Sequence, residues 1–155
     1  MRIKIICVGK IKFDYIKDGL TDYLKRLKPV AKVEINEIKE LDSAKIPIEQ
    51  VLHSEGELIL KNIQKDWVAI GLDREGTEID SLKLSAIMNE IKDFRGAKVC
   101  FIIGGSHGLS IEVKKQCQYV LSFSKLTFPH QLFRLILVEQ IYRAFEIIKN
   151  SEYHK

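Results

Sequence analysis

Residues 97–108 read AKVCFIIGGSHG, and this stretch decides the fold. Ala97–Ile103 is the most apolar run in the chain and is bounded by glycines on both sides. A short, continuously apolar run of this kind reads as a strand buried on both faces, as a central strand of a parallel sheet must be. Working outward, a short helix is predicted from about Ser110, a strand over Tyr119–Phe123, a loop over Ser124–Phe128, and a long helix opened by Pro129 and running to about Lys149. Upstream, Ser81–Phe94 reads as a helix closed by Gly96, and Trp67–Leu72 as a strand followed by the turn Asp73-Arg74-Glu75-Gly76. Arg2–Val8 and Lys32–Ile38 read as two further strands. Between them, Phe13, Ile16, Leu20, Tyr23, Leu24 and Leu27 mark one face of a helix over Phe13–Leu27 that Pro29 stops. Ile48–Ile63 reads as another helix, with Gly56 unfavourable in its middle. Strand and helix alternate throughout, which predicts an α/β fold on a mainly parallel sheet.

The length, 155 residues, predicts one domain over 1–155 that can bury roughly 70% of its unfolded surface. With 46% hydrophobic and 30% charged residues, the composition excludes a fully disordered or collagen-like chain. No apolar run approaches the roughly 18 residues that span a bilayer, and Lys4 interrupts the first apolar stretch, so neither a membrane partner nor a secretory signal is expected. Cys7, Cys100 and Cys117 are odd in number and lack C-x-x-C spacing, which fits reduced thiols in a cytoplasmic protein. The net charge of +4 is unevenly spread: residues 1–32 carry nine Lys/Arg against three Asp, and residues 33–57 two Lys against seven acids. The basic segment, with Lys10, Lys12, Lys17, Lys25, Arg26 and Lys28, suits a polyanion, and equally suits the solvated side of a helix.

The last helix is apolar around most of its circumference, from Leu132 and Phe133 to Ile147 and Ile148. Packing one side on the sheet leaves another that needs cover, so a homodimer with this helix at the interface is expected. Enclosure within one subunit is the alternative.

Chemistry is expected at strand ends. Gly104–Gly108 follows a buried strand and leads into a helix, the position where open α/β folds bind ligands. Its spacing matches neither the dinucleotide fingerprint nor the Walker loop, and a plain tight turn fits it as well. Ser122–His130 (SFSKLTFPH) follows the next strand end and carries three hydroxyls, a lysine and a histidine. His130 falls in the first helical turn, where the helix dipole disfavours its protonated form and leaves it able to accept a proton. An ordinary first-turn polar residue would look the same. His53, His107, His130 and His154 show no ligand spacing, so no metal is expected.

Four blocks together carry a specific resemblance: IKIICVGKIK at 3–12, FIIGGSHGL at 101–109, YVLSFSKLTFPHQLFR at 119–134, and VEQIYRAFEI at 138–147 with the closing YHK at 153–155. The chain resembles the SPOUT-class RNA methyltransferases end to end, and within them the RlmH family, which methylates N3 of a pseudouridine in 23S large-subunit rRNA. His107 stands at a loop position where a relative has Asn, an exchange that leaves the glycines intact. The resemblance implies a C-terminal trefoil knot, within roughly 97–155, and S-adenosylmethionine bound in it. It places the cofactor on Leu72, Gly104 and Phe123-Ser124-Lys125-Leu126-Thr127-Phe128, three strand-end segments that can converge. It further implies a cytoplasmic homodimer acting on the ribosome, as large subunit or assembled 70S, with no DNA partner. The candidates for chemistry are then His130 and His154 for proton handling, Arg134 and Arg143 for charge stabilisation or phosphate contact, and Tyr153 for stacking on the base. A noncatalytic ribosome-binding factor and a flavodoxin-like nucleotide-binding protein are the rival readings. The second leaves SFSKLTFPH and YHK unexplained.

Overall fold

Ten elements follow one another in a computed structural model that describes residues 1–153. They are β1 Arg2–Val8, α1 Asp14–Leu27, β2 Lys32–Ile38, α2 Ile48–Asn62, β3 Val68–Glu78, α3 Ser81–Phe94, β4 Lys98–Ile103, α4 Ile111–Gln116, β5 Tyr119–Ser122 and α5 His130–Ile148. The strands form one sheet in the order β2-β1-β4-β3-β5, and every neighbouring pair is parallel. β4 is the middle strand, as its unbroken apolar sequence requires.

Alternation along the strands divides the core into two layers. Ile3, Ile5, Val99, Phe101 and Ile70 pack with α1, α3 and α5 on one face. Ile6, Val8, Cys100, Ile102 and Ala69 pack with α2 and α4 on the other. Cys7 and Cys100 are buried free thiols, pushed up to about 11 and about 12 chiefly by desolvation, so they behave as small core hydrophobes.

One detail departs from the sequence reading, and another, the helix over Ile48–Ile63, follows it despite Gly56. The third strand does not end at Leu72. It leaves the sheet at Asp73 and rejoins it at Thr77, and both Leu72 and Thr77 pair with Leu121. The predicted turn is therefore a bulge within β3, which Asp73–Glu75 can form because side chains satisfy their backbone: the Glu75 amide donates to Asp73 Oδ1 at 2.9 Å and the Arg74 carbonyl accepts from Lys125 at 3.1 Å. The helix α2 also runs unbroken through Gly56. A Cβ at that position would stand 2.6 Å from Ser110 Oγ, the hydroxyl that caps α4 by accepting from the Val113 amide. The glycine is there for close approach, not to end a helix.

The long helix α5 lies against both α1 and α3, and Leu137, Val138, Ile141, Ala144 and Phe145 on it are buried. Leu132, Ile136 and Ile147 remain half-buried, whereas Phe133 meets Phe123 and Phe128 and Leu135 packs at Gly19 of α1. This chain alone covers roughly one side of the helix.

Candidate functional site

Parallel strands bring their C-terminal ends to one edge of the sheet. There Leu72 is paired with Ile103, and Leu121 with Leu72. A cavity of about 820 Å³ opens at this edge between the glycine loop, the β3 bulge and the loop after β5. Its shape follows from the glycines. A Cβ on Gly104 would fall on the Gly108 carbonyl, Gly108 has φ +82°, and its amide donates to the Gly105 carbonyl at 3.1 Å. The tight turn and the ligand cradle are thus one feature, and backbone groups take the place that side chains would fill.

The wall after β5 is aromatic. Phe123 and Phe128 both pack on Phe133 of α5, with ring centroids 5.7 and 6.2 Å away. The loop between them is held locally: Ser124 Oγ accepts from the Leu126 amide at 2.9 Å, and Ser122 Oγ donates to the Ser124 carbonyl at 3.1 Å. Leu126 stands at the rim, an apolar side chain left 71% exposed.

Among the residues expected to hold a cofactor, Leu72, Gly104, Phe123, Ser124, Leu126, Thr127 and Phe128 all line this cavity. Lys125 does not. Its ammonium donates to the Arg74 carbonyl at 3.1 Å, and Arg74 Nη1 donates to Thr127 Oγ1 at 3.3 Å, so together they tie the β5 loop to the β3 bulge. Asp73 and Lys114 escaped the sequence reading and meet at the cavity wall, 2.6 Å apart. Burial raises the Asp73 carboxyl, but the Lys114 ammonium and the Glu75 amide outweigh it and hold the group below its ordinary range. The signal available was position, since Asp73 directly follows the apolar part of β3.

His130 begins α5 and lines the same cavity. Its Nε2 is buried without a hydrogen-bond partner. Desolvation lowers its pKa, Glu40 opposes this, and Arg134 and Lys12 add to the lowering. The helix terminus was expected to disfavour the protonated imidazole; burial acts in the same direction. Arg134 has a different place from the one its charge suggested. It is fully buried, with Nη1 2.9 Å from Glu37 Oε1 and Nη2 donating to the carbonyls of Val8 at 2.5 Å and Gly9 at 2.8 Å. Its two terminal nitrogens fasten α5 to the ends of β1 and β2, while its Nε is buried without a partner among the described residues.

Arg143 lies roughly 20 Å from His130 along α5, at about 1.5 Å of rise per residue, and does not line the cavity. It holds Glu139 at 2.6 Å and sits 4.7 Å over the Tyr153 ring, while the Tyr153 hydroxyl donates to Glu139 at 3.2 Å. One chain therefore brings His130 to the cavity and sends Arg143 and Tyr153 to the other end of the helix. His154 lies outside the described residues. Among the basic residues, Lys17 pairs with Asp14 at 2.9 Å and Arg26 with Asp22 at 2.8 Å. Since α1 runs away from the site edge, Lys10 and Lys12 are the members of the basic 1–32 segment that stay beside it, the Lys12 amide donating to Gln131 Oε1 at 2.7 Å.

Comparison with known proteins gives this geometry a context. The family described as "Predicted SPOUT methyltransferase" matches residues 1–154. The ribosomal RNA large subunit methyltransferase H of Caldicellulosiruptor saccharolyticus is 46% identical over 154 residues, covering 99% of both chains. The protein of the same name from Bacillus pumilus is 44% identical over 159 residues, covering the whole of both. Among solved structures, a probable methyltransferase from Bordetella pertussis Tohama I superposes with a TM-score of 0.56 at 12% identity, covering 92% of this chain and 93% of that one, which speaks for the fold alone. With a family match across nearly the whole chain, and glycine loop and aromatic wall meeting at one edge of its parallel sheet, the chain belongs to the SPOUT methyltransferase family.

Proposed function

We propose that this protein transfers a methyl group from S-adenosylmethionine to N3 of a pseudouridine in 23S large-subunit rRNA, acting as a homodimer on ribosomes in the cytoplasm. The observation that carries the reading is full-length similarity to large subunit rRNA methyltransferases at up to 46% identity, joined to a cavity lined by the family's cofactor segments. The same reading includes the trefoil threading of the C-terminal part, within roughly 97–155.

The residues suit the cofactor. A cavity of about 820 Å³ falls within the ordinary range for small-molecule sites, roughly 300–1,000 Å³. Leu72, Leu126, Phe123 and Phe128 offer the apolar walls an adenine needs, and the glycine-loop backbone offers amides and carbonyls to polar groups. When bound, the cofactor supplies an electrophilic methyl group, so the chain must orient the base and take its proton. His130 is the residue placed for the proton: neutral, at the cavity and unpartnered at Nε2.

Arg143, Tyr153 and His154 enter the reading through the dimer. A second copy lying on the half-buried side of α5 covers Leu132, Ile136 and Ile147 and brings the partner subunit's chain end to this cavity. There the cation stabilises the charge left on the ring, the aromatic ring stacks on the base, and the second imidazole handles the proton. Lys10 and Lys12 take backbone phosphates beside the site.

The test is incubation of the purified protein with radiolabelled S-adenosylmethionine and assembled ribosomes, with separated subunits and free rRNA alongside. Label in large-subunit rRNA is expected, strongest on assembled particles. Confirmed cofactor binding with no label in any of these substrates overturns the reading.

A further inference from the structure

A second cavity, of about 340 Å³, lies beside the first and is lined by Glu40, Leu41, Ser43, Glu55, Ser106 and His107 among others. Ser106 and His107 line both cavities, so whatever fills the second lies against the wall of the first. Glu55 reaches its base from α2 and is only 4% exposed. Its Oε1 accepts from the Leu41 amide at 3.0 Å, while Oε2 has no hydrogen-bond partner among the described residues. Oε2 lies 2.7 Å from where Gly105 would carry a Cβ, so the glycine loop closes directly over the carboxylate. Across the cavity, Glu40 Oε1 accepts from Ser106 Oγ at 3.4 Å. The other oxygen of Glu40 turns toward Gly9, and a Cβ there would stand 3.0 Å from it and 3.3 Å from His130 Nε2. The second cavity and the histidine of the first therefore share one acidic neighbour.

A carboxylate oxygen at the base of a cavity loses its water when a ligand fills the space, and a ligand that donates to it removes that cost. The surroundings narrow the class of that ligand. An anion such as a phosphate is repelled by Glu40, Asp42 and Glu55. Among the described residues no group of His, Cys, Asp and Glu is arranged to hold a metal ion. What remains is a hydrogen-bond donor that reaches the second cavity and touches the first, and of the two reactants in the proposed reaction the pyrimidine ring, with its N–H edge, must lie against the methyl group and can extend into this space.

We infer that the second cavity receives the target base and that Glu55 Oε2 accepts a hydrogen bond from a ring N–H other than the one methylated, an inference that rests on the methyltransferase reading above. In a pseudouridine the glycosidic bond is to carbon, so N1 carries a proton in addition to N3. Uridine presents a C–H at the same ring edge. One carboxylate can thus distinguish the two isomers, because uridine leaves Glu55 buried and unpaired. Glu55 is then a specificity-determining residue that takes no part in moving the methyl group or the proton.

The test compares single-turnover methyl transfer by the wild type and Glu55→Gln on ribosomes carrying either pseudouridine or uridine at the target position. Gln keeps the acceptor for Leu41 and replaces the second oxygen with a donor. The wild type should favour pseudouridine by roughly a hundredfold, the worth of one hydrogen bond to a charged group. Glu55→Gln should bring the two substrates to nearly equal rates while binding S-adenosylmethionine as the wild type does. A wild-type measurement needs no folded variant: N1-methylpseudouridine at the target position should react as slowly as uridine. Unchanged preference in Glu55→Gln, or fast reaction of N1-methylpseudouridine, overturns this inference and leaves the methyltransferase reading standing. No transfer by the wild type to either ribosome overturns both.

Discussion

Arg134 on α5 and Glu37 at the end of β2 form an ion pair in which Nη1 lies 2.9 Å from Oε1 and the arginine side chain is 1% exposed. The same guanidinium donates to the carbonyls of Val8 and Gly9, so one side chain joins the last helix to two strand ends beneath the site. A planar fork is required to reach all three acceptors, and a lysine cannot supply it. Arg134→Met should cost about 3 kcal/mol, because the carbonyls and the carboxylate lose their shared donor. Arg134→Lys should recover only part of this. Urea unfolding measures both; a methionine variant as stable as the wild type would mean that water serves these groups equally well.

His130 loses its ability to accept a proton once it is protonated, so activity should fall as pH drops through its pKa in the folded protein. Burial sets that pKa below the ordinary histidine value of 6.5, and Glu40 partly offsets the lowering. The acid limb of the kcat profile should therefore lie below 6.5, and Glu40→Gln should move it lower still. His130→Ala should reduce kcat by roughly a hundredfold or more, the usual worth of a positioned proton acceptor. An acid limb unmoved in Glu40→Gln would assign the titration to another group.

Arg143 and His130 sit at opposite ends of one helix, yet the proposed site needs both. Arg143→Ala should lower methylation by about tenfold or more, without abolishing cofactor binding, and the same holds for His154→Ala. Mixing and reannealing Arg143→Ala with His130→Ala should restore activity, because one cavity of the mixed dimer receives both wild-type residues. Mixtures no more active than either variant alone would show that each chain works with its own residues.

Glu55 should make the protein less stable at neutral pH than a neutral isostere would. Burial raises its carboxyl pKa, the Leu41 amide opposes this, and Glu40 adds to the rise. An acid with a raised folded-state pKa binds its proton more tightly when folded, so its cost to stability is present above that pKa and disappears below the unfolded value. Glu55→Gln should thus raise Tm by a few degrees near pH 8 and leave it unchanged near pH 3. A gain that persists in acid would have to come from packing instead of charge.

Most of the fold was legible because the strands are β-branched runs and the helices carry clean apolar faces. Burial on both sides of β4 could be read from AKVCFII directly. The extension of β3 could not, since Asp73–Gly76 is polar and leaves the sheet before Thr77 finds Leu121 again. The cavity lining was legible as three strand ends, but the direction of each side chain was not. Lys125 looked like a ligand and serves as a tie to Arg74. Arg134 looked like a free cation on a helix, and its acceptors at Val8 and Gly9 lie more than a hundred residues away in sequence. Glu55 gave no signal at all, because its burial is made by the glycine loop that closes over it.

Five parallel strands bring both cavities to one edge of the sheet and leave the other edge to connecting turns. The exposed turn Gln64–Asp66 between α2 and β3 lies at that edge, on the face of the sheet away from α5, and is pinned by Asp66 and Lys98 at 2.5 Å. A fluorophore or surface tether grafted at Lys65 would hold the molecule from behind, leaving both cavities and the half-buried side of the last helix open to whatever approaches them.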